Sequence, residues 1–113
     1  MKIINTTRQT VIAQRASTAD TFASRAVGLL NRASLDPGEA LIIKPCNAIH
    51  MFFMRFAIDA IFVDKNNRVA GLLKAIKPFH LSPIFLKSSF VIEASVGTIE
   101  ASKTCVGDVL EVN

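Results

Sequence analysis

A chain of 113 residues is enough for one domain and leaves no room for two. Half of its residues are hydrophobic, 19% are charged and all 8 aromatic residues are Phe, which excludes a disordered chain, a collagen, a coiled coil and an acidic tail. The formal charge of +4 is dispersed, with no three adjacent Lys or Arg, so the basic stripe of a nonspecific nucleic-acid binder is missing and nucleic acid is disfavoured as a partner.

Taken in chain order, residues 2–5 and 10–14 predict short strands around a polar turn at 6–9. Thr18 reads as a helix N-cap, with Asp20 in the first turn where its charge complements the helix dipole. Phe22, Ala26, Leu29 and Leu30 then form one apolar stripe at helical spacing, closed by the turn residues Asp36, Pro37 and Gly38. Residues 41–43 predict a short apolar strand stopped by Pro45. Residues 49–53 and 60–63 are apolar at successive positions and predict central strands, buried on both faces. Residues 64–68 predict a hairpin loop into a strand at 69–76. An irregular connection with two prolines follows, then a strand at 90–94, one or two helical turns within 98–104, and a tight turn into a last strand near 109–112. One long helix cannot supply repeated βαβ units, and short loops favour antiparallel neighbours. The expectation is a single domain over residues 1–113, mainly β (α+β): a curled antiparallel sheet or a partly closed small β-barrel with one packed helix.

The two cysteines, Cys46 and Cys105, are too few for a disulfide framework. The first residues turn polar too soon for a signal peptide. The most apolar region, residues 49–63, is broken by His50, Arg55 and Asp59, whereas a spanning helix needs about 20 apolar residues. A cytoplasmic protein without a membrane span, monomeric or a homodimer, is expected.

Several ordered blocks resemble a known family. They are Arg25-Ala26-Val27-Gly28-Leu29-Leu30; Gly38-Glu39-Ala40-Leu41 with Pro45-Cys46; the run from Ile49 to Asp59 followed by Ile61-Phe62-Val63-Asp64; Val91-Ile92-Glu93-Ala94 with Gly97; and Val106-Gly107-Asp108. The family is DUF192, a bacterial and archaeal domain of unknown function. The chain departs from its pattern at Leu30, where Met is usual, at Met51, where Thr is common, and at Ala57, often Pro. The resemblance implies a compact, mostly β fold with one helix, in the short, leaderless branch of the family. It implies no activity.

Two constellations carry candidate chemistry. Arg55 and Asp59 interrupt apolar sequence, and a charge there must be paired or line a cavity. Arg25 with Asp59 would be a structural ion pair tying helix to sheet; Arg25, His50 and Arg55 would make a pocket for a small anionic ligand, with Asp59 beside it. Cys46 and His50 form the second constellation, a metal site for zinc or another divalent ion. An extended strand would separate them by about 13 Å, so the pair requires the chain to bend back at residues 45–47. Otherwise Cys46 is a small buried hydrophobe and His50 a pocket wall. His80 and Cys105 show no ligand-like spacing to complete a metal set. Asp108 reads as a turn cap, Glu93 as a lone carboxylate facing water or a pocket, and Phe52-Phe53-Met54-Arg55-Phe56 as core rather than a stacking surface for single strands. No nucleophile–base set, phosphate loop or CxxC is present. The leading expectation is therefore a ligand-binding or accessory domain without intrinsic catalysis and with no cofactor. The alternatives are a metal-dependent protein using Cys46 and His50, or a protein or nucleic-acid interaction module.

Overall fold

The computed structural model describes the backbone of residues 1–113 and every side chain except those of Phe22 and Ala26, so the part of the apolar helical stripe that they were to supply lies outside the described residues. The chain runs β1 (Ile3–Asn5), β2 (Thr10–Ala13), β3 (Arg15–Ala19), α1 (Phe22–Val27), β4 (Glu39–Ile43), β5 (Ile58–Asp64), β6 (Val69–Ile76), β7 (Ser88–Ala94), α2 (Thr98–Ala101) and β8 (Leu110–Val112). A five-stranded sheet has the order β3-β4-β7-β5-β6, and a three-stranded sheet the order β2-β1-β8. Neither sheet closes on itself or on the other, so the small-barrel form of the expectation gives way to a curled sheet with a packed helix.

Side-chain alternation explains the layering. In β5 and β7, Ile61, Val63, Phe90 and Ile92 point to one side of the five-stranded sheet. There they meet Ile3, Ile12 and Leu110 of the three-stranded sheet and Ile99 of α2. The opposite residues Ile58, Ala60, Phe62 and Val91 point to the other side, where Leu29, Leu35, Ile49, Met51 and Met54 cover them. With both faces buried, β5 has no polar-out alternation, and its first six residues are all buried. Phe62 stacks on Phe85 with ring centroids 4.3 Å apart. Gly71, opposite Phe62 in register, makes room for that ring: a Cβ there would lie 2.2 Å from Phe85 Cε1.

Three local expectations change. The β3–β4 pair is parallel, with Arg15 opposite Glu39 and Ala19 opposite Ile43. Parallel neighbours need a crossover of a dozen or more residues, which the segment containing α1 supplies. The helix itself is only six residues long. Its N-cap is Thr21, in a capping box with Ser24, while Thr18 belongs to β3. Gly28 at φ 49° ends it, a conformation that costs a residue without Cβ little. Finally, residues 49–53 are not a central strand; they form a loop with one isolated bridge, His50 to Leu81. Ile49 and Met51 lie across the sheet face rather than within it.

Away from that face, a buried polar cluster ties the chain ends together. Asn5 donates from Nδ2 to Thr104 Oγ1 (3.1 Å) and Asp108 Oδ2 (2.9 Å), and Asp108 also accepts from Arg8 Nε (3.0 Å) and the Cys105 N–H (2.9 Å). Burial raises the Asp108 pKa, but the bonds from Arg8, Asn5 and Cys105 outweigh it and hold the carboxyl below its usual range. Asp108 therefore caps its turn, as expected, and anchors β1 as well.

Candidate functional site

The register of β7 decides where Glu93 points. It lies opposite Leu41 in β4 and Ala60 in β5, on the loop-covered side of the sheet. Above it passes the end of α1, where Gly28 has no side chain to fill the space. A Cβ there would stand 4.0 Å from Glu93 Oε1 and 3.8 Å from Ile43 Cδ1. The result is an open cleft of about 160 Å³ between the end of α1, the end of β4, the loop after it and Glu93. Arg25, Cys46, His50 and Glu93 are its polar lining, and Leu29, Ile43 and Met54 are among its apolar walls.

Glu93 is only 5% exposed, and no hydrogen bond from a described residue reaches its carboxyl. Burial favours the neutral acid and pushes its pKa up to about 7. Arg25 approaches from α1. Its Nη1 donates to the Pro45 carbonyl at 3.2 Å, while its Nε is buried with no hydrogen-bond partner among the described residues. A guanidinium N–H without a partner and a carboxyl without a donor thus share one cleft, and no salt bridge joins them. Cys46 is half-buried, and its thiol donates to the Ala48 carbonyl at 3.1 Å. Burial pushes its pKa up, with a further rise from Glu93, against opposing effects of the Ala48 bond and Arg25. A thiol in that state is a poor nucleophile at neutral pH. His50 is exposed at the rim; its Nδ1 accepts from the Phe52 N–H at 3.3 Å and its ring stacks on Phe52 at 5.3 Å.

Of the residues singled out in the sequence, the cleft gathers Arg25, Cys46 and His50, and the chain does bend after Pro45. Arg55 and Asp59 are not part of its lining. Arg55 is exposed. Asp59 is buried and accepts from the N–H groups of Ala75 (2.9 Å), Gly97 (3.2 Å) and Ile99 (2.9 Å). Those bonds tie β5 to β6 and to the start of α2, so the Arg25–Asp59 ion pair does not form. His80 and Cys105 are exposed elsewhere, and no group of three or more His, Cys, Asp or Glu among the described residues is gathered to hold a metal. Glu93 is the residue whose weight was missed. Its signal was a single carboxylate inside an otherwise apolar strand, a position where a charge needs a partner or a cavity.

A mostly β domain with a small polar cleft under a short helix is the class that this fold and site define. The chain belongs to the DUF192 family, described as an uncharacterized ACR, whose pattern matches residues 3–112. It is 34% identical over 115 residues to a UPF0127 protein of Pyrococcus abyssi, covering 96% of this chain and 95% of that protein. Among solved structures it is similar to a protein of unknown function from Novosphingobium aromaticivorans, at 25% identity and a TM-score of 0.84, over 98% of this chain and 82% of the other. A protein from Sinorhizobium meliloti, 17% identical with a TM-score of 0.77, covers 97% and 89% of the two chains and shares the fold.

Proposed function

We propose that this domain binds a small anionic ligand, a carboxylate or a comparable planar anion, in the cleft between Arg25 and Glu93, without intrinsic catalysis. The observation that carries the reading is the buried Arg25 Nε with no partner among the described residues, in the same cleft as a carboxyl whose pKa is pushed up to about 7. A ligand carboxylate would accept from the guanidinium and from the neutral Glu93 O–H, satisfying both groups at once. The volume suits a compact molecule; an apolar cavity of about 150 Å³ holds benzene. Apolar walls from Leu29 and Met54 suit a short hydrocarbon portion. Cys46, held as a thiol, belongs to the wall in this reading.

The test is an NMR titration with acetate, propionate and benzoate, with chloride and methylammonium as controls. Carboxylates should shift the Arg25 Nε and Gly28 signals saturably. Binding should weaken about tenfold from pH 6 to pH 8, as Glu93 loses the proton that the complex needs. Glu93→Gln should keep binding and lose that pH dependence, and Arg25→Met should abolish it. Saturation by methylammonium and not by carboxylates would overturn the reading. A divalent metal on Cys46 and His50 is the competing reading, favoured by their sharing the cleft. It predicts one equivalent of metal by elemental analysis, lost in Cys46→Ser.

A further inference from the structure

The loop that covers the sheet has an outer side, and its residues are of an unusual kind. Residues 49–53 lie along residues 79–82: the Met51 N–H donates to the His80 carbonyl (2.8 Å), the Phe79 N–H to Met51 (2.7 Å) and the Ser82 N–H to Ile49 (2.9 Å). Ile49 and Met51 point inward. Phe52, Phe53, Phe79 and Leu81 are 40%, 76%, 62% and 65% exposed, so the expectation that Phe52 and Phe53 belong to the core does not hold. Phe53 and Phe79 have φ of 64° and 65°, a left-handed backbone that bulky residues rarely adopt. They meet edge to face at 5.9 Å.

The charge around this patch has one sign. Exposed Arg55 and Lys77 lie two residues along the chain from Phe53 and Phe79 respectively. From Lys65 through Ile92 there are five Lys or Arg (Lys65, Arg68, Lys74, Lys77, Lys87) and no Asp or Glu. Asp64, which immediately precedes that stretch, is half-buried and accepts from the Asn66 and Arg68 N–H groups in the turn after β5, and Asp59 is buried on backbone amides.

We infer that this face docks on an anionic lipid surface, with the Phe53–Phe79 pair and Leu81 entering the headgroup boundary and Arg55 and Lys77 facing the lipid phosphates. Apolar tips inside a basic rim are what such an interface selects. A single-stranded nucleic acid needs ring faces presented in succession, whereas Phe53 and Phe79 pack edge to face and Phe52 stacks against His50. A second copy would bring basic rim against basic rim across a two-fold axis. No helix among the described residues is long and apolar enough to cross a membrane.

The chain has no Trp, so Phe53→Trp reports on the patch alone. Its emission should shift to the blue, and the protein should co-sediment, with vesicles of phosphatidylcholine and phosphatidylglycerol at low salt. Phosphatidylcholine vesicles and high salt should give neither. Arg55→Gln with Lys77→Gln should weaken binding on the order of tenfold. Phe79→Ser, checked for an unchanged melting temperature, should abolish it. No shift with the anionic vesicles, quenching by polyuridylate instead, or concentration-dependent dimerisation that buries the Trp would each overturn the assignment.

Discussion

Replacing Glu93 by glutamine should make the protein more stable at alkaline pH while leaving it nearly unchanged in acid. The carboxyl titrates at 4.5 in the unfolded chain and at about 7 in the fold, because burial disfavours its charge. Below pH 4.5 both states hold the proton and Glu93 contributes no pH dependence. Between 4.5 and about 7 only the folded state holds it, so stability falls as pH rises through that window and stays lowered above it. Each tenfold change in proton affinity is worth about 1.4 kcal/mol, so the full window amounts to about 3 kcal/mol. That is a large fraction of the 5–15 kcal/mol typical of a domain, and in a chain this short it corresponds to a difference in Tm on the order of 10 °C. Urea denaturation followed by circular dichroism, for the native and Glu93→Gln proteins at pH 5 and pH 8 and constant ionic strength, gives the difference directly. The variant should exceed the native protein by about 1 kcal/mol at the lower pH, where the unfolded chain already releases the proton, and by about 3 kcal/mol at the higher. A gap of the same size at both values would refute the reasoning, since a merely steric effect does not titrate.

Three further outcomes follow from the fold. Asp59→Ala strands the N–H groups of Ala75, Gly97 and Ile99 and should cost about 3–5 kcal/mol in urea midpoint analysis, with Asp59→Asn costing less because one acceptor survives. Gly71→Ala drives a methyl into the Phe85 ring; it should destabilise by about 1–3 kcal/mol, and Phe85→Leu in the same chain should recover part of that in thermal melts. Asp108→Asn should cost about 1.5–3 kcal/mol near neutral pH. Because the folded pKa of Asp108 lies below 3.8, its contribution is present above that value and lost as pH falls beneath it, so the gap between variant and native protein should close in acid unfolding.

The strands were legible wherever both faces of the sheet are buried. The apolar residues of β5 and β7 are mostly β-branched, and the turns that bound β1, β2 and β6 carry ordinary polar punctuation. Thr18 is a competent cap by residue type; that Thr21 caps the helix instead follows from the pairing of β3 with β4, a contact that no local pattern contains. The same holds for residues 49–53, of which Ile49 and Met51 cover the sheet while Phe52 and Phe53 face outward; a short apolar run looks alike in a strand and in a loop. Arg25, Cys46 and His50 were legible as chemistry-bearing types, and their meeting depends on how α1 and the loop after β4 cross the sheet. Asp59 looked like half of an ion pair because periodicity reports that a carboxylate is buried and says nothing of the amides that receive it. Glu93 became informative only with its register, which turns it toward Gly28 and the cleft.

The reading of the cleft as an anion site rests on the buried Glu93 carboxyl and on an Arg25 Nε that has no partner among the described residues, both lining that cleft. It is tested most directly by carbon-13 NMR of the Glu93 side-chain carboxyl across the pH range, free and with saturating propionate. The midpoint should lie near 7 in the free protein and move higher when the carboxylate is bound. A midpoint near 4.5 in the free protein, or one that propionate leaves in place, would contradict that reading.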